Sequence, residues 1–260
     1  MMMERGAGDG VGGLVLVRLI AEVHHATVGV RPNLSSSSSV LPIRHIIGVG
    51  RNYAAHAEEQ GASAPERPML FTKNPAAAAL DGDAIRIPAC CRDREQVDYE
   101  GELAVVIGRA CKDVSEEDVL DEERSPVLGF CVANDVSARW WQKEGSGGQF
   151  NRGKSFDGFC PLGPVLTPLG GVGELGELTI ETRLNGEVVQ RSSTGRMIFS
   201  VPRLVAECTR DTTLVPGTVI LTGTPSGVGM AQDPPRYLRA GDEVSVSVSG
   251  LGTLRNVVSG

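Results

Sequence analysis

From residue 41 onward the chain runs as short apolar stretches separated by glycine, proline and charged residues. The stretches 46–49, 69–72, 84–87, 102–107, 127–132, 219–221, 243–248 and 253–258 are rich in valine, isoleucine and leucine, which fit a pleated, half-buried surface, and so predict strands. Stretches 178–184 and 187–190 flank Asn185-Gly186, the dipeptide whose backbone preferences favour a two-residue hairpin turn. Helical spacing is confined to 54–60, 116–122, 136–144 and 201–208, the last with Pro202 suited to a first turn. Many strands with few intervening helices argue against a doubly wound parallel sheet. The expected class is α+β, mainly β: a mixed, largely antiparallel roll or barrel with a few short helices.

Residues 1–40 have a different texture. Residues 1–13 are glycine-rich and polar, Leu14-Val15-Leu16-Val17 is the length of one short strand, and 35–39 is an unbroken serine run of the kind that forms a flexible linker. We expect 1–40 to be an N-terminal extension with a Ser-rich linker and 41–260 to be the working domain. The start lacks the charged head, long apolar core and small-residue cleavage site of a secretory signal, and Glu4, Asp9 and Glu22 disfavour a transit peptide.

Composition narrows the function classes. With 41% hydrophobic and 22% charged residues, the chain reads as an ordinary globular enzyme. A net charge of −7 without any lysine/arginine block argues against a nucleic-acid or anionic-membrane surface. No apolar run approaches the ~20 residues that span a bilayer. The six cysteines show no C-x-x-C spacing, and the adjacent Cys90-Cys91 suits no secreted disulfide framework, so a reducing compartment is expected: the cytoplasm, with the mitochondrion as the alternative.

Three acidic residues carry the chemistry. Glu100 and Glu102 open the apolar strand of 102–107, and residues i and i+2 of a strand project to one face, roughly 6.5 Å apart. Two unpaired carboxylates there repel, so that one must take up a proton or a divalent cation must sit between them. An all-oxygen donor set suits Mg²⁺, Mn²⁺ or Ca²⁺ rather than zinc. The alternative is an edge strand with an exposed acidic face. Further on, a helix over 136–144 would align Asp135, Arg139 and Gln142 on one polar face, either for binding or as a solvated surface with a local ion pair. His56 and Glu59, three apart, are neighbours on a helix, where a carboxylate raises imidazole basicity; an exposed histidine is the alternative. Lys154 and Asp157 lie among Gly, Phe and Pro, as a substrate-side ammonium or as a structural ion pair. The glycine-rich turn 221–229, containing Thr224, matches no nucleotide-binding motif, and its amides suit an anion nest or merely a tight turn.

In this order the segments resemble the fumarylacetoacetate hydrolase family. They are Gly50-Arg51-Asn52-Tyr53…His56…Glu59, Asp98-Tyr99-Glu100-Gly101-Glu102, Asn134-Asp135-Val136-Ser137-Ala138-Arg139…Gln142, Gly153-Lys154-Ser155-Phe156-Asp157 and Leu221-Thr222-Gly223-Thr224-Pro225. The resemblance, closest to the fumarylacetoacetate hydrolase domain-containing proteins, runs from about residue 46 to 258. It implies a β-rich roll, a homodimer, and one Mg²⁺ or Mn²⁺ per chain (Ca²⁺ as an alternative) on Glu100, Glu102 and Asp135. His56 and Glu59 then orient a water. Lys154 and Gln142 share the catalytic work, and Arg51, Tyr53, Arg139, Asp157 and Thr224 bind substrate. Trp140 departs from the pattern, standing where such proteins commonly carry Asp, and 1–40 matches no usual appendage.

The expected reaction is hydrolytic cleavage of a C–C bond in an acylpyruvate or other 1,3-diketo acid through a metal-stabilised enolate. The same electron sink serves tautomerisation or decarboxylation of a 2-oxo acid such as oxaloacetate. A catalytically silent, metal-binding relative is the non-enzymatic alternative.

Overall fold

A computed structural model of the chain describes the backbone of residues 19–20 and residues 41–260. The short strand read at Leu14-Val15-Leu16-Val17 and the serine linker at 35–39 lie outside the described residues. In chain order the strands are β1 (Leu19–Ile20), β2 (Leu41–Pro42), β3 (His45–Gly50), β4 (Met69–Lys73), β5 (Ala78–Leu80), β6 (Ile85–Arg86), β7 (Val97–Asp98) and β8 (Gly101–Ile107). There follow β9 (Val127–Asn134), β10 (Ser137–Ala138), β11 (Cys160–Thr167), β12 (Thr179–Leu184), β13 (Glu187–Ser193), β14 (Thr218–Leu221), β15 (Glu243–Val248) and β16 (Gly252–Ser259). The helices are α1 (Ala54–Glu59), α2 (Glu116–Leu120), α3 (Arg139–Gln142), α4 (Phe150–Lys154) and α5 (Val201–Thr209). None is long and apolar enough to cross a membrane.

The protein is mainly β, as its pattern predicts. A seven-stranded mixed sheet has the order β4-β3-β14-β8-β9-β11-β5, and a five-stranded sheet the order β13-β12-β15-β16-β6. Every residue of β8 is buried, so this central strand is apolar along its whole length apart from Glu102. The second sheet packs on the first through β12 and β15, against β8 and β9. Gly101 makes that approach possible. A Cβ there would drive into the Thr182 hydroxyl and touch Val246, so glycine lets the second sheet close on the face opposite the two glutamates.

The helix read over 136–144 is shorter than its spacing predicts. Ser137 and Ala138 are extended and pair with Asp98 and Val97, and the Arg139 amide donates to the Gln96 carbonyl at 2.9 Å. The ladder satisfies backbone groups that a first helical turn would leave open, so the helix begins only at Arg139. Asp135 is therefore not on the helix face with Arg139 and Gln142.

Candidate active site

Adjacent strands build the carboxylate cluster. Gly101 pairs with Asn134 and Glu102 with Ala133, which brings the end of β9 beside Glu100. The Asn134 side-chain oxygen accepts from the Glu100 amide at 3.0 Å, and the Glu100 carbonyl accepts from the Asp135 amide at 2.8 Å. Glu100, Glu102 and Asp135 are all buried, with one oxygen of each within 4.8 Å of the others.

Two lysines meet this cluster. Lys154, at the end of α4, donates to Glu100 Oε2 and Asp135 Oδ2, each at 2.6 Å. Lys73, at the end of β4, donates to Asp135 Oδ1 and to the Phe159 carbonyl. Arg139 bonds Glu100 Oε1 through Nη1 at 2.6 Å, Asp98 Oδ2 through Nε at 2.9 Å, and Gln142 Oε1 at 2.9 Å. Burial works against ionisation of Glu100, yet Lys154, Arg139 and His56 together hold its carboxyl well below the usual range. For Lys154 burial is likewise outweighed, by Asp135 and Glu100, and the ammonium is stabilised.

Glu102 differs. Burial, then the charges of Asp135 and Glu100, push it well above the usual carboxylate range, against weaker help from Lys154 and the Gly223 amide at 2.7 Å. The cluster thus holds one carboxylate more than its ammonium partners satisfy. Hard oxygen donors around that excess charge fit a divalent ion, and these three residues can hold one.

The glycine-rich turn anchors the surrounding acids. Its amides are indeed a nest for anions, but the anions are the protein's own side chains. Gly223 donates to Glu102, Gly227 to Glu59 Oε2 at 2.8 Å, and Gly229 and Met230 to Asp98. Gly223 adopts φ +97°, and a Cβ there would meet Asn52 Cβ at 2.6 Å. Asn52 in turn bonds the Thr222 and Phe199 carbonyls, tying the start of α1 to the turn.

From that anchored start, α1 projects His56 toward the cluster. His56 Nδ1 lies 2.6 Å from Glu59 Oε1, and Nε2 lies 2.9 Å from the Gln60 amide nitrogen. His56, Gln60, Arg51, Glu100, Gln142, Lys154 and Thr224 line one cleft, walled on the apolar side by Met69, Phe71 and Phe150. Arg51 sits there at φ +56°, a conformation costly for a residue with a side chain. Thr224 is buried, donating to the Gly101 carbonyl and accepting from Gln190. The Tyr53 hydroxyl is buried without a partner among the described residues, and burial, then the nearby Glu102 charge, raises its pKa.

Most of the sequence-derived residues therefore meet in one place, with two changes of partner and one absence. Arg139 is engaged by Asp98 and Glu100 rather than by Asp135. Lys154 spans two carboxylates and makes no ion pair with Asp157, which is exposed and does not line the cleft. Trp140 stacks edge-on against Trp141, with Arg94 over its ring at 4.6 Å. Sequence reasoning passed over Asp98, although Asp98-Tyr99-Glu100-Gly101-Glu102 continues one alternation, and Lys73, the one charged residue of β4. It also passed over Gln60, one helical turn beyond His56.

The family model for the fumarylacetoacetate (FAA) hydrolase C-terminal matches residues 45–259. The chain belongs to the fumarylacetoacetate hydrolase family. Among family members, the mitochondrial oxaloacetate tautomerase fahd2 of Xenopus laevis is 42% identical over 88% of this chain and 69% of its own length. The oxaloacetate tautomerase YisK of Bacillus subtilis (strain 168) is 43% identical, over 84% of this chain and 70% of its own. Solved structures agree. A fumarylacetoacetate hydrolase from psychrophilic Exiguobacterium antarcticum superposes with a TM-score of 0.75 at 42% identity, covering 88% of this chain and 80% of that one. A 5-carboxymethyl-2-hydroxymuconate delta-isomerase from Mycobacterium smegmatis gives 0.70 at 43% identity, covering 83% and 78%.

Proposed function

We propose that the protein is a divalent-metal-dependent tautomerase of a short 2-oxo acid, of which oxaloacetate is the model substrate, rather than the C–C hydrolase that its family name first suggests. The observation that carries this reading is a buried three-carboxylate cluster beside Lys154 and a cleft-facing His56. The names of relatives at 42–43% identity supply the direction. Glu100, Glu102 and Asp135 would hold Mg²⁺ or Mn²⁺. When bound, such an ion supplies Lewis-acid stabilisation of negative charge on an enolate oxygen.

The chain's own groups do the rest. Glu59 accepts a hydrogen bond from the Nδ1–H of His56, which keeps that proton on Nδ1 and leaves the Nε2 lone pair as the proton acceptor. His56 takes a proton from the carbon next to the keto group. The C–H electron pair becomes the new C=C bond, the carbonyl π pair moves onto oxygen, and the same imidazolium returns the proton to that oxygen. The reverse sequence regenerates the keto form. Lys154 offsets charge at the reacting end, and Gln142, its carbonyl held by Arg139, has its NH₂ to offer the substrate. No water attacks and no carbon–carbon bond breaks. His56→Ala is expected to slow oxaloacetate keto–enol exchange by ~10²–10⁴-fold, the usual worth of a positioned acid–base group, while oxalate still binds. Exchange at the wild-type rate in that variant would remove His56 from the mechanism.

A further inference from the structure

Both ring nitrogens of His56 are engaged by its own helix and the residue that ends it. A carboxylate only accepts, so the nitrogen 2.6 Å from Glu59 carries the proton. Nε2 then presents a lone pair, to which the Gln60 amide donates from 2.9 Å. The one position from which His56 can receive a proton is thus covered by a neutral donor. Free space in the cleft is about 20 Å³, room for roughly one water. No substrate carbon comes within reach of Nε2 until that amide moves. Once moved, its N–H groups, only partly buried, turn to water or to an acceptor on the substrate, and an anionic acceptor is favoured because a hydrogen bond to a charged group is the stronger one.

The covalent structure of the substrate says what that acceptor is. When a carbon lies at Nε2, the groups nearest to the displaced amide are the substituents of that carbon. In a four-carbon dicarboxylic 2-oxo acid, the carbon that loses its proton carries the second carboxylate. Arg51 lines the same cleft, and its Nε is buried without a partner among the described residues, so a positive charge stands by for the same anion.

We propose that Gln60 determines substrate specificity: its amide leaves His56 Nε2 and donates to the second carboxylate of a four-carbon dicarboxylic 2-oxo acid, so that a substrate bearing this group uncovers the base. The proposal rests on the tautomerase reading and names the substrate class of that same site. It makes Gln60 a reader of the carbon substituent, not a proton carrier.

The test is calorimetric binding of oxalate and of oxaloacetate to the Mn²⁺-loaded protein, in wild type, Gln60→Ala and Gln60→Leu. Oxalate reproduces the reacting end and lacks the substituent. Both variants should weaken oxaloacetate by ~10- to 100-fold, the factor that a hydrogen bond to a charged group contributes, and leave oxalate within about twofold. Equal weakening of both ligands would assign Gln60 a structural role and overturn the proposal, as would unchanged oxaloacetate affinity. Gln60→Leu keeps the volume should the alanine variant fold poorly. The readout is binding, so a wild type that binds oxaloacetate without speeding its keto–enol exchange would sink the tautomerase reading, and the comparison of the two ligands would still decide the role of Gln60.

Discussion

Glu102 is the residue whose environment says most about the site. It faces Asp135 and Glu100 with only a backbone amide and a shared lysine to offset them, so burial and repulsion hold its pKa above the ordinary 4.5. Between that value and the raised one, the folded chain binds a proton that the unfolded chain has released. Stability from this group therefore falls as pH rises through the window. Glu100 acts in the opposite sense: its lowered pKa contributes stability at and above the ordinary carboxylate range, lost as pH falls through the folded value. Loading a divalent ion onto Glu102 must displace its proton. Calorimetry in two buffers of different ionisation enthalpy should show proton release on Mn²⁺ uptake at mildly acidic pH. Glu102→Ala should lose that release, bind Mn²⁺ far more weakly and lose metal-dependent thermal stabilisation. Unchanged affinity in the variant would remove Glu102 from the metal set.

At the scale of elements, the alternation of Glu100 and Glu102 and the hydrophobic runs were legible because a strand's period of two is written directly in the sequence. Strand β15 falls at the residues its pattern marks, and Asn185-Gly186 joins β12 to β13 as its turn chemistry requires. The stretch 136–144 was misread for a physical reason: polar residues at helical spacing promise a helix, but pairing of 137–138 with 97–98 claims the backbone first. Lys73 could not be placed in advance, since its partner Asp135 lies 62 residues away across the sheet. The same holds for the amides of the glycine-rich turn, which reach Glu59, Asp98 and Glu102 only after folding. The turn and Gly101 together set how closely the two sheets and α1 approach the cluster. Gly101→Val would overpack the contact with Thr182 and Val246 and should cost ~1–3 kcal/mol in denaturant melts, with weaker Mn²⁺ binding as the neighbouring glutamates shift. A wild-type melt would mean that the sheets can part there without consequence.

For the whole molecule, the described residues 41–260 carry both sheets, the cleft and every residue assigned a role. The one described piece of the N-terminal region, β1, pairs in parallel with β2. Deleting residues 1–40 leaves both of these sheets whole and removes, among the described residues, only β1 and its two-residue pairing with β2, so the truncated protein should melt within a few degrees of the full chain and bind Mn²⁺ equally. Precipitation or a much lower Tm would make the extension part of the core.

The central claim, that this fold supplies an electron sink and a proton carrier but no attacking water, meets its most direct test in one paired assay. Keto–enol exchange of oxaloacetate and cleavage of an acylpyruvate are followed by absorbance on the same Mn²⁺-loaded preparation, with and without EDTA. The account predicts exchange accelerated well beyond buffer and abolished by EDTA, with acylpyruvate left intact. Acylpyruvate cleaved while oxaloacetate exchanges no faster than in buffer would contradict it.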